Sequence, residues 1–213
     1  MIELLEEFGI DWNDRSVLVI APGAAGVADL LRSDGGVADV DALDSPEGIG
    51  RELAERIYDV VVVGDVLYEC SADSVHDAFR WIRDHLRPGG ECLVQTRTWL
   101  GPDGGGLGSH VRTPYAHLAF ARDAVEEYFD ANGWDFPTAR NRMCRATYFV
   151  LFRRAGLGIE EVRVEEHEPQ AFLDKLQVYD SSERSAAGFR ARLRRPYDGE
   201  SELEELRRLL MAP

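Results

Sequence analysis

The sequence predicts an α/β fold: a doubly wound, mainly parallel sheet with helices on both faces. Three observations predict it. Short runs such as VLVIA (residues 17–21) and VVVV (60–63) are apolar at every position, as strands buried on both faces require. Amphipathic stretches of helical length alternate with them, the pattern of parallel strands joined by crossover helices. Turns of small or acidic residues follow the strands, at the edge where such sheets bind ligands.

Each element follows in order. Residues 2–8 form a short helix with Ile2, Leu5 and Phe8 on one face. Residues 17–21 are the first strand, and residues 27–33 continue as helix and stop near Gly35-Gly36. A second strand covers 37–43 and a helix 46–56. Residues 58–69, YDVVVVGDVLYE, carry the central strand. The helix at 74–86 has Val75, Phe79, Ile82 and Leu86 as its inner stripe. It ends at RPGG, where Pro88 cannot continue a helix and glycines supply the turn. A strand follows at 91–96. Residues 97–113 are glycine-rich and lie at the ligand edge, where long loops usually have a function. Helices are expected at 119–132 and 145–155, the latter stopped by Gly156. A strand is expected at 159–165, a helix at 171–179, an edge strand at 188–193 and a last helix at 200–211. The chain reads as one domain, 1–213, with a core at 15–96, a lid-like insertion at 97–144 and a helix-and-strand part at 145–213.

The 213 residues suffice for one α/β domain with a sizeable core. Asp and Glu total 39 against 24 Lys and Arg, a net charge of −15. Lys175 is the only lysine. An acidic, lysine-poor surface suits high salt, where screening relaxes self-repulsion, and a GC-rich genome also favours Arg over Lys. The acidity argues against nucleic acid, which needs a basic face. Arg190, Arg192, Arg194 and Arg195 read as a solvated face balancing nearby acids. Cys70, Cys92 and Cys144 lack zinc spacing and are odd in number, so neither a metal nor a disulfide framework is expected. The acidic start has no basic n-region and no run is long enough to cross a bilayer, so a cytoplasmic protein without a membrane partner is expected. A homodimer is left open.

The stretches VLVIAPGAAG, ADVDALDSPEG, YDVVVVGDVLYE and LRPGGECLVQT resemble, in that order, the landmarks of class I S-adenosylmethionine-dependent methyltransferases. LFRRAGLGIEEV resembles their late helix-to-strand segment, and NRMCRATYFVLFRRAGL a segment of small-molecule members. The resemblance implies a Rossmann-like fold and S-adenosyl-L-methionine as cofactor. It implies that the loop of Ala21, Pro22, Gly23 and Gly26 packs on the methionine part, that Asp44 accepts from the ribose hydroxyls, and that Gly64, Asp65 and Val66 line cofactor and acceptor. Asp44 lies about twenty residues past the loop, as ribose recognition in such folds expects. Val19 stands where the family usually has an acid and Ala21 where it has a glycine. The helix after Asp44 runs almost directly into Tyr58, so one strand of the usual sheet and its adenine-binding loop are expected to be missing.

The resemblance implies methylation of a small-molecule or sugar-type acceptor at oxygen or nitrogen. The alternative is a degenerate, non-catalytic binding or partner protein. An NAD-dependent oxidoreductase is weaker, given LRPGG and the absent glycine at Ala21. A hydroxyl acceptor calls for a base, and a carboxylate needs none. His110 and His117, flanking TPY after the glycine-rich loop, are the base candidates, with Tyr115 beside them; otherwise they are solvated or capping residues. Tyr115 and Arg112 could hold an anionic or sugar substrate. Asp44 could equally cap the helix at Pro46, and Asp65 the turn that follows it. His76 and His85 read as structural.

If the acidic surface is an adaptation to salt, the thermal midpoint rises from low to molar salt as screening weakens the repulsion of the −15 net charge. A flat midpoint leaves genome composition as the reason for the arginine bias.

Overall fold

A computed structural model describes residues 2–34, 36–37, 39–46, 49, 53, 55–102, 107, 110–111, 115–136, 141–166 and 186–196. The strands are β1 (Ser16–Ile20), β2 (Asp39–Leu43), β3 (Tyr58–Gly64), β4 (Leu86–Arg97), β5 (Gly158–Glu166) and β6 (Ala186–Arg194). The helices are α1 (Ile2–Glu7), α2 (Ala24–Asp34), α3 (Ala72–His85), α4 (Ala116–Ala119), α5 (Arg122–Ala131) and α6 (Arg145–Arg154). All six strands form one sheet in the order β2-β1-β3-β4-β6-β5. The pairs from β2 to β4 are parallel, and β6 runs antiparallel to both its neighbours. The expected doubly wound sheet is the one observed.

The continuous apolar runs have a simple consequence. Val17, Val19, Val60, Val62 and Leu93 point to one face, where Leu4 of α1, Phe8 just after it, and Ala28 and Leu31 of α2 cover them. Leu18, Ile20, Val61, Val63 and Val94 point to the other, under Val75, Phe79 and Ile82 of α3 and Tyr148 and Phe152 of α6. Ser71 caps α3 by accepting from the Ser74 amide at 3.0 Å. Gly156, at φ 86°, ends α6, and Leu157 N–H then donates to Phe152 O at 3.1 Å, a left-handed helix stop that glycine adopts without strain.

Several expectations are corrected. Residues 188–193 are not an edge strand, because β6 is inserted between β4 and β5 and β5 is the edge. Its alternating arginines balance nearby acids, as expected: Arg190 pairs with Glu7 of α1 and with Glu165, Arg192 with Glu91, Arg194 with Glu160. Its other face, Phe189, Ala191 and Leu193, is fully buried. The strand after α3 begins at Leu86 rather than Glu91; Leu86 pairs with Tyr58, and the register then shifts so that Val60 meets Glu91. Pro88-Gly89-Gly90 is thus an irregularity within β4 rather than a free turn. The helix expected at 119–132 is two pieces, broken at Ala121, whose ψ of 139° is extended.

Between Asp44 and Tyr58 no strand occurs among the described residues. The amides of Ile49, Leu53 and Arg56 donate to the carbonyls of Pro46, Ile49 and Leu53 in turn, in helix-like steps. The helices expected at 171–179 and 200–211 lie outside the described residues. Among the described residues no helix is long and apolar enough to cross a membrane.

Phe189→Ala tests the inserted position of β6. Phe189 is fully buried among Tyr148, Phe149 and Phe152, so its loss should cost about 3–5 kcal/mol in urea unfolding. A cost below about 1 kcal/mol is the result expected of an exposed edge.

Candidate functional site

Four adjacent parallel strands bring their carboxyl ends to one edge, and the chain reverses its direction of winding between β1 and β3. Such a switch point leaves a crevice beyond the strands. Ala21, Pro22 and Gly23 leave β1 there; Asp44 leaves β2; Gly64, Asp65 and Val66 leave β3. Ala21 N–H donates to Leu43 O at 3.0 Å, which sets the first turn directly beside Asp44.

The small-residue turn is shorter than the sequence suggested. α2 begins at Ala24, so Gly26 lies in its first turn. Gly23 has φ 71°, and a Cβ added there or at Gly26 would meet no atom within 4 Å. The backbone at this turn therefore faces open space, where only hydrogen atoms separate it from a ligand. Asp44 is exposed, and its Oδ1 accepts from Ala24 N–H at 3.1 Å, at the start of α2. That carboxylate therefore bonds the helix after β1, and its Oδ2 makes no hydrogen bond among the described residues. A polar cofactor with hydroxyls and a carboxylate fits this arrangement, since the start of α2 also carries partial positive charge.

Asp65 is half-buried, in the left-handed region at φ 47°, uncommon for a residue with a side chain. Its amide donates to Gln95 O at 2.9 Å, and the Gln95 carboxamide donates to its Oδ2 at 3.4 Å. Val66, rather than Asp65, stands at the head of the short helical turn Leu67–Glu69, which has no side-chain cap.

The three aromatic and imidazole candidates lie apart from one another in their contacts. His110 packs against Phe129 and Trp134, with centroids at 5.4 and 4.7 Å, beside the insertion's own small apolar cluster. His117 Nε2 is 2.7 Å from Trp99 O, with its ring edge-on to that indole at 4.6 Å. A carbonyl only accepts, so Nε2 carries the proton and Nδ1 is the acceptor nitrogen of the neutral ring. Tyr115 is buried, at φ 61°, with its amide donating to Pro102 O. Arg112 lies outside the described residues.

Sequence reasoning did not single out the wall beyond β4. Thr98 Oγ1 donates to Ala186 O, and Trp99 N–H to Met143 O at 3.0 Å, so the exit of β4 is tied to β6 and to the segment before α6. Asn141, buried, donates to Leu67 O at 2.6 Å and Cys70 O at 2.8 Å, joining that segment to the turn after β3. Arg97 lies over the Tyr68 ring and Arg142 over the Trp99 ring. The carboxyl-edge rule that selected Asp44 and Asp65 would have reached Arg97; Asn141 and Arg142 come close only through the folding of the later chain.

No family model matches the chain, and no curated protein does. Solved structures share its fold. An S-adenosylmethionine-dependent methyltransferase from Mesorhizobium loti is 17% identical, with 91% of this chain and 96% of that one aligned and a TM-score of 0.55. An O-methyltransferase family protein from Burkholderia thailandensis is 15% identical over 94% of this chain and 56% of that one, at TM-score 0.52. The [4+2]-cyclase SpnF is 14% identical over 92% and 79%, at TM-score 0.54. At these identities the likeness establishes the fold, which is the Rossmann-like one the sequence resemblance implied.

Beneath the site, Tyr148 is fully buried and its hydroxyl donates to Asn141 Oδ1 at 3.4 Å. Burial pushes this hydroxyl up to about 12, although hydrogen bonds with Thr96 and Asn141 act the other way. Below the ordinary tyrosine value of about 10 it is neutral folded or unfolded, and its contribution is intact. From about 10 to 12 the unfolded chain ionises first, so stability falls as pH rises, by up to about 1.4 kcal/mol per pH unit. Urea unfolding across this range should show a shallower loss for Tyr148→Phe than for the unaltered protein. Equal slopes count against the buried phenol as a source of the loss.

Proposed function

We propose that the chain is an S-adenosylmethionine-dependent methyltransferase that acts on a small-molecule or sugar-type acceptor at oxygen or nitrogen. The observation that carries the reading is the meeting of Gly23 and Asp44 at the switch point, one with open space over its backbone and the other with an uncommitted carboxylate oxygen. Ala21, Pro22, Gly23 and Gly26 form the cradle for the cofactor's amino-acid end, and the start of α2 favours its carboxylate. Asp44 Oδ2 accepts from ribose hydroxyls while Oδ1 keeps its bond to Ala24. Gly64, Asp65 and Val66 line the side between cofactor and acceptor, with the Gln95 carboxamide fixing the Asp65 carboxylate.

When bound, the cofactor supplies a methyl group on positively charged sulfur, and its displacement needs chiefly alignment. The protein's part is to hold the acceptor in line and exclude water. Where the acceptor must lose a proton, His117 is the base of choice, its Nε2–H anchored on Trp99 O. Tyr115 and His110 stand behind it on the same insertion.

A second reading, binding without transfer, draws on the short connection from Asp44 to Tyr58. The strand and acidic loop that hold adenine in the resembled family have no counterpart among the described residues. The fold is also compatible with other reactions, as the cyclase shows. Conversion of the bound cofactor to S-adenosylhomocysteine with any acceptor in a small-molecule panel separates the two.

Calorimetric titration tests the cradle. Asp44→Ala should weaken S-adenosylmethionine binding about tenfold to a hundredfold, the worth of a charge-assisted hydrogen bond of about 1.5–3 kcal/mol. Asp44→Asn keeps an acceptor for Ala24 N–H, so it separates the ribose role from the capping role. Gly23→Val fills the open space and abolishes binding; its left-handed φ also strains any side chain there, so its thermal midpoint is read alongside. No binding by the unaltered protein at millimolar ligand leaves the turn a mere connection.

A further inference from the structure

The wall beyond β4 carries an observation that the cofactor reading does not use. The chain is strongly acidic, and several arginines are engaged by acids: Arg15 by Glu91, Arg56 by Asp39 and Asp41, Arg163 by Glu7 and Glu161. Arg80, Arg153 and Arg154 have no acid partner among the described residues, and neither do Arg97 and Arg142, which differ in the ring each covers. Both are exposed, and neither guanidinium makes an ion pair or a hydrogen bond among the described residues. Each lies instead over an aromatic ring, Arg97 5.6 Å from the centroid of Tyr68 and Arg142 5.2 Å from that of Trp99.

The two stacks belong to one patch. Trp99 follows Arg97 by two residues, and its amide bonds the carbonyl of Met143, next to Arg142. Tyr68 lies in the turn after β3, three residues from Asp65. Its hydroxyl is pushed above the ordinary range, first by burial, then by its hydrogen bond to Glu69 and that carboxylate's charge; Arg97 acts in the opposite direction and Asp65 in the same one. The patch is therefore at the carboxyl edge, on the side of Asp65 away from the cradle.

Stacking a guanidinium on a ring fixes its plane and leaves its N–H edge for a partner. Two such edges, without a carboxylate partner among the described residues, suit a bidentate oxyanion far better than a neutral or cationic group. We infer that Arg97 and Arg142 form the acceptor anchor, and that the acceptor is a small molecule bearing an anionic oxyacid group, a carboxylate or a phosphate. This rests on the methyltransferase reading for the word acceptor, and on the arginines alone for the anion.

The test uses the full chain saturated with S-adenosylhomocysteine and four probes of one size: benzoate, phenyl phosphate, benzyl alcohol and benzylamine. Calorimetry should show benzoate or phenyl phosphate binding at least tenfold more tightly than the alcohol and the amine, and the tighter of the two identifies carboxylate or phosphate. Arg97→Gln and Arg142→Gln should each weaken the anion at least tenfold, with the affinity for S-adenosylhomocysteine and the thermal midpoint unchanged. Equal affinity for charged and neutral probes, no binding of any probe, or variants that bind the anion as the unaltered protein does overturns the inference. If S-adenosylhomocysteine itself fails to bind, the methyltransferase reading falls, and the same probes and variants without it still decide the anion site.

Discussion

Burial of β1, β3 and β4 on both faces is the constraint on which the rest of the structure depends. Val17 to Ile20, Val60 to Val62 and Cys92 to Val94 have no exposed surface. Strands of this kind satisfy their backbone only by pairing with one another and their side chains only by packing under helices. Neither face of the central sheet can then meet a ligand. What remains for chemistry is the ends, and because the strands are parallel their carboxyl ends are all at one edge. The turn at Gly23, the Asp44 carboxylate and the strained Asp65 share that edge for this reason.

The far half of the sheet is held differently. β5 and β6 are apolar on one face only; the other carries arginine and glutamate in register. Glu7 of α1 joins Arg163 and Arg190, and Glu91 joins Arg15 and Arg192. Individual exposed pairs contribute little, on the order of 0–1 kcal/mol each. Their effect here is on composition: a sheet face can stay polar in an inserted strand without leaving charges unpaired. Among the described residues Arg97 and Arg142 have no carboxylate partner beside the site, so those two cations are unlike the ladder that balances β6.

Among the described residues, a few bonds between the segment that follows β4 and the rest of the sheet determine what reaches the edge. Thr98 and Trp99 fasten the exit of β4 to β6 and to Met143, and Asn141 fastens the same segment to the turn after β3. Through these bonds an aromatic and cationic wall made of Tyr68, Arg97, Trp99 and Arg142 stands opposite the cradle. His117 is tied to that wall by its bond to Trp99 O, whereas His110 packs beside the insertion's own apolar cluster.

The sequence by itself determined the alternation of strand and helix, the direction of the central strands and the places where the chain turns at the carboxyl edge. Those follow from local pattern: unbroken β-branched runs, helical stripes and small or acidic residues after each run. It also pointed to the interval before Tyr58, where little room is left for a strand and none occurs among the described residues. The tertiary structure alone decided what depends on distant partners. The insertion of β6 between β4 and β5 could not be read from its own segment, because its neighbours are set by distant strands and one of the acids that pair its arginines, Glu7, is 183 residues away. The bond from Asp44 to Ala24 depends on β2 lying beside β1, so the same carboxylate read equally well as a cap for the helix after it. Asn141 and Arg142 open the segment NRMCRATYFVLFRRAGL, whose resemblance to small-molecule methyltransferases assigned neither of them a role; only the folding of that segment back onto Trp99 and Leu67 places them at the site, because hydrogen bonds and stacking between distant parts of a chain have no period for a sequence to show.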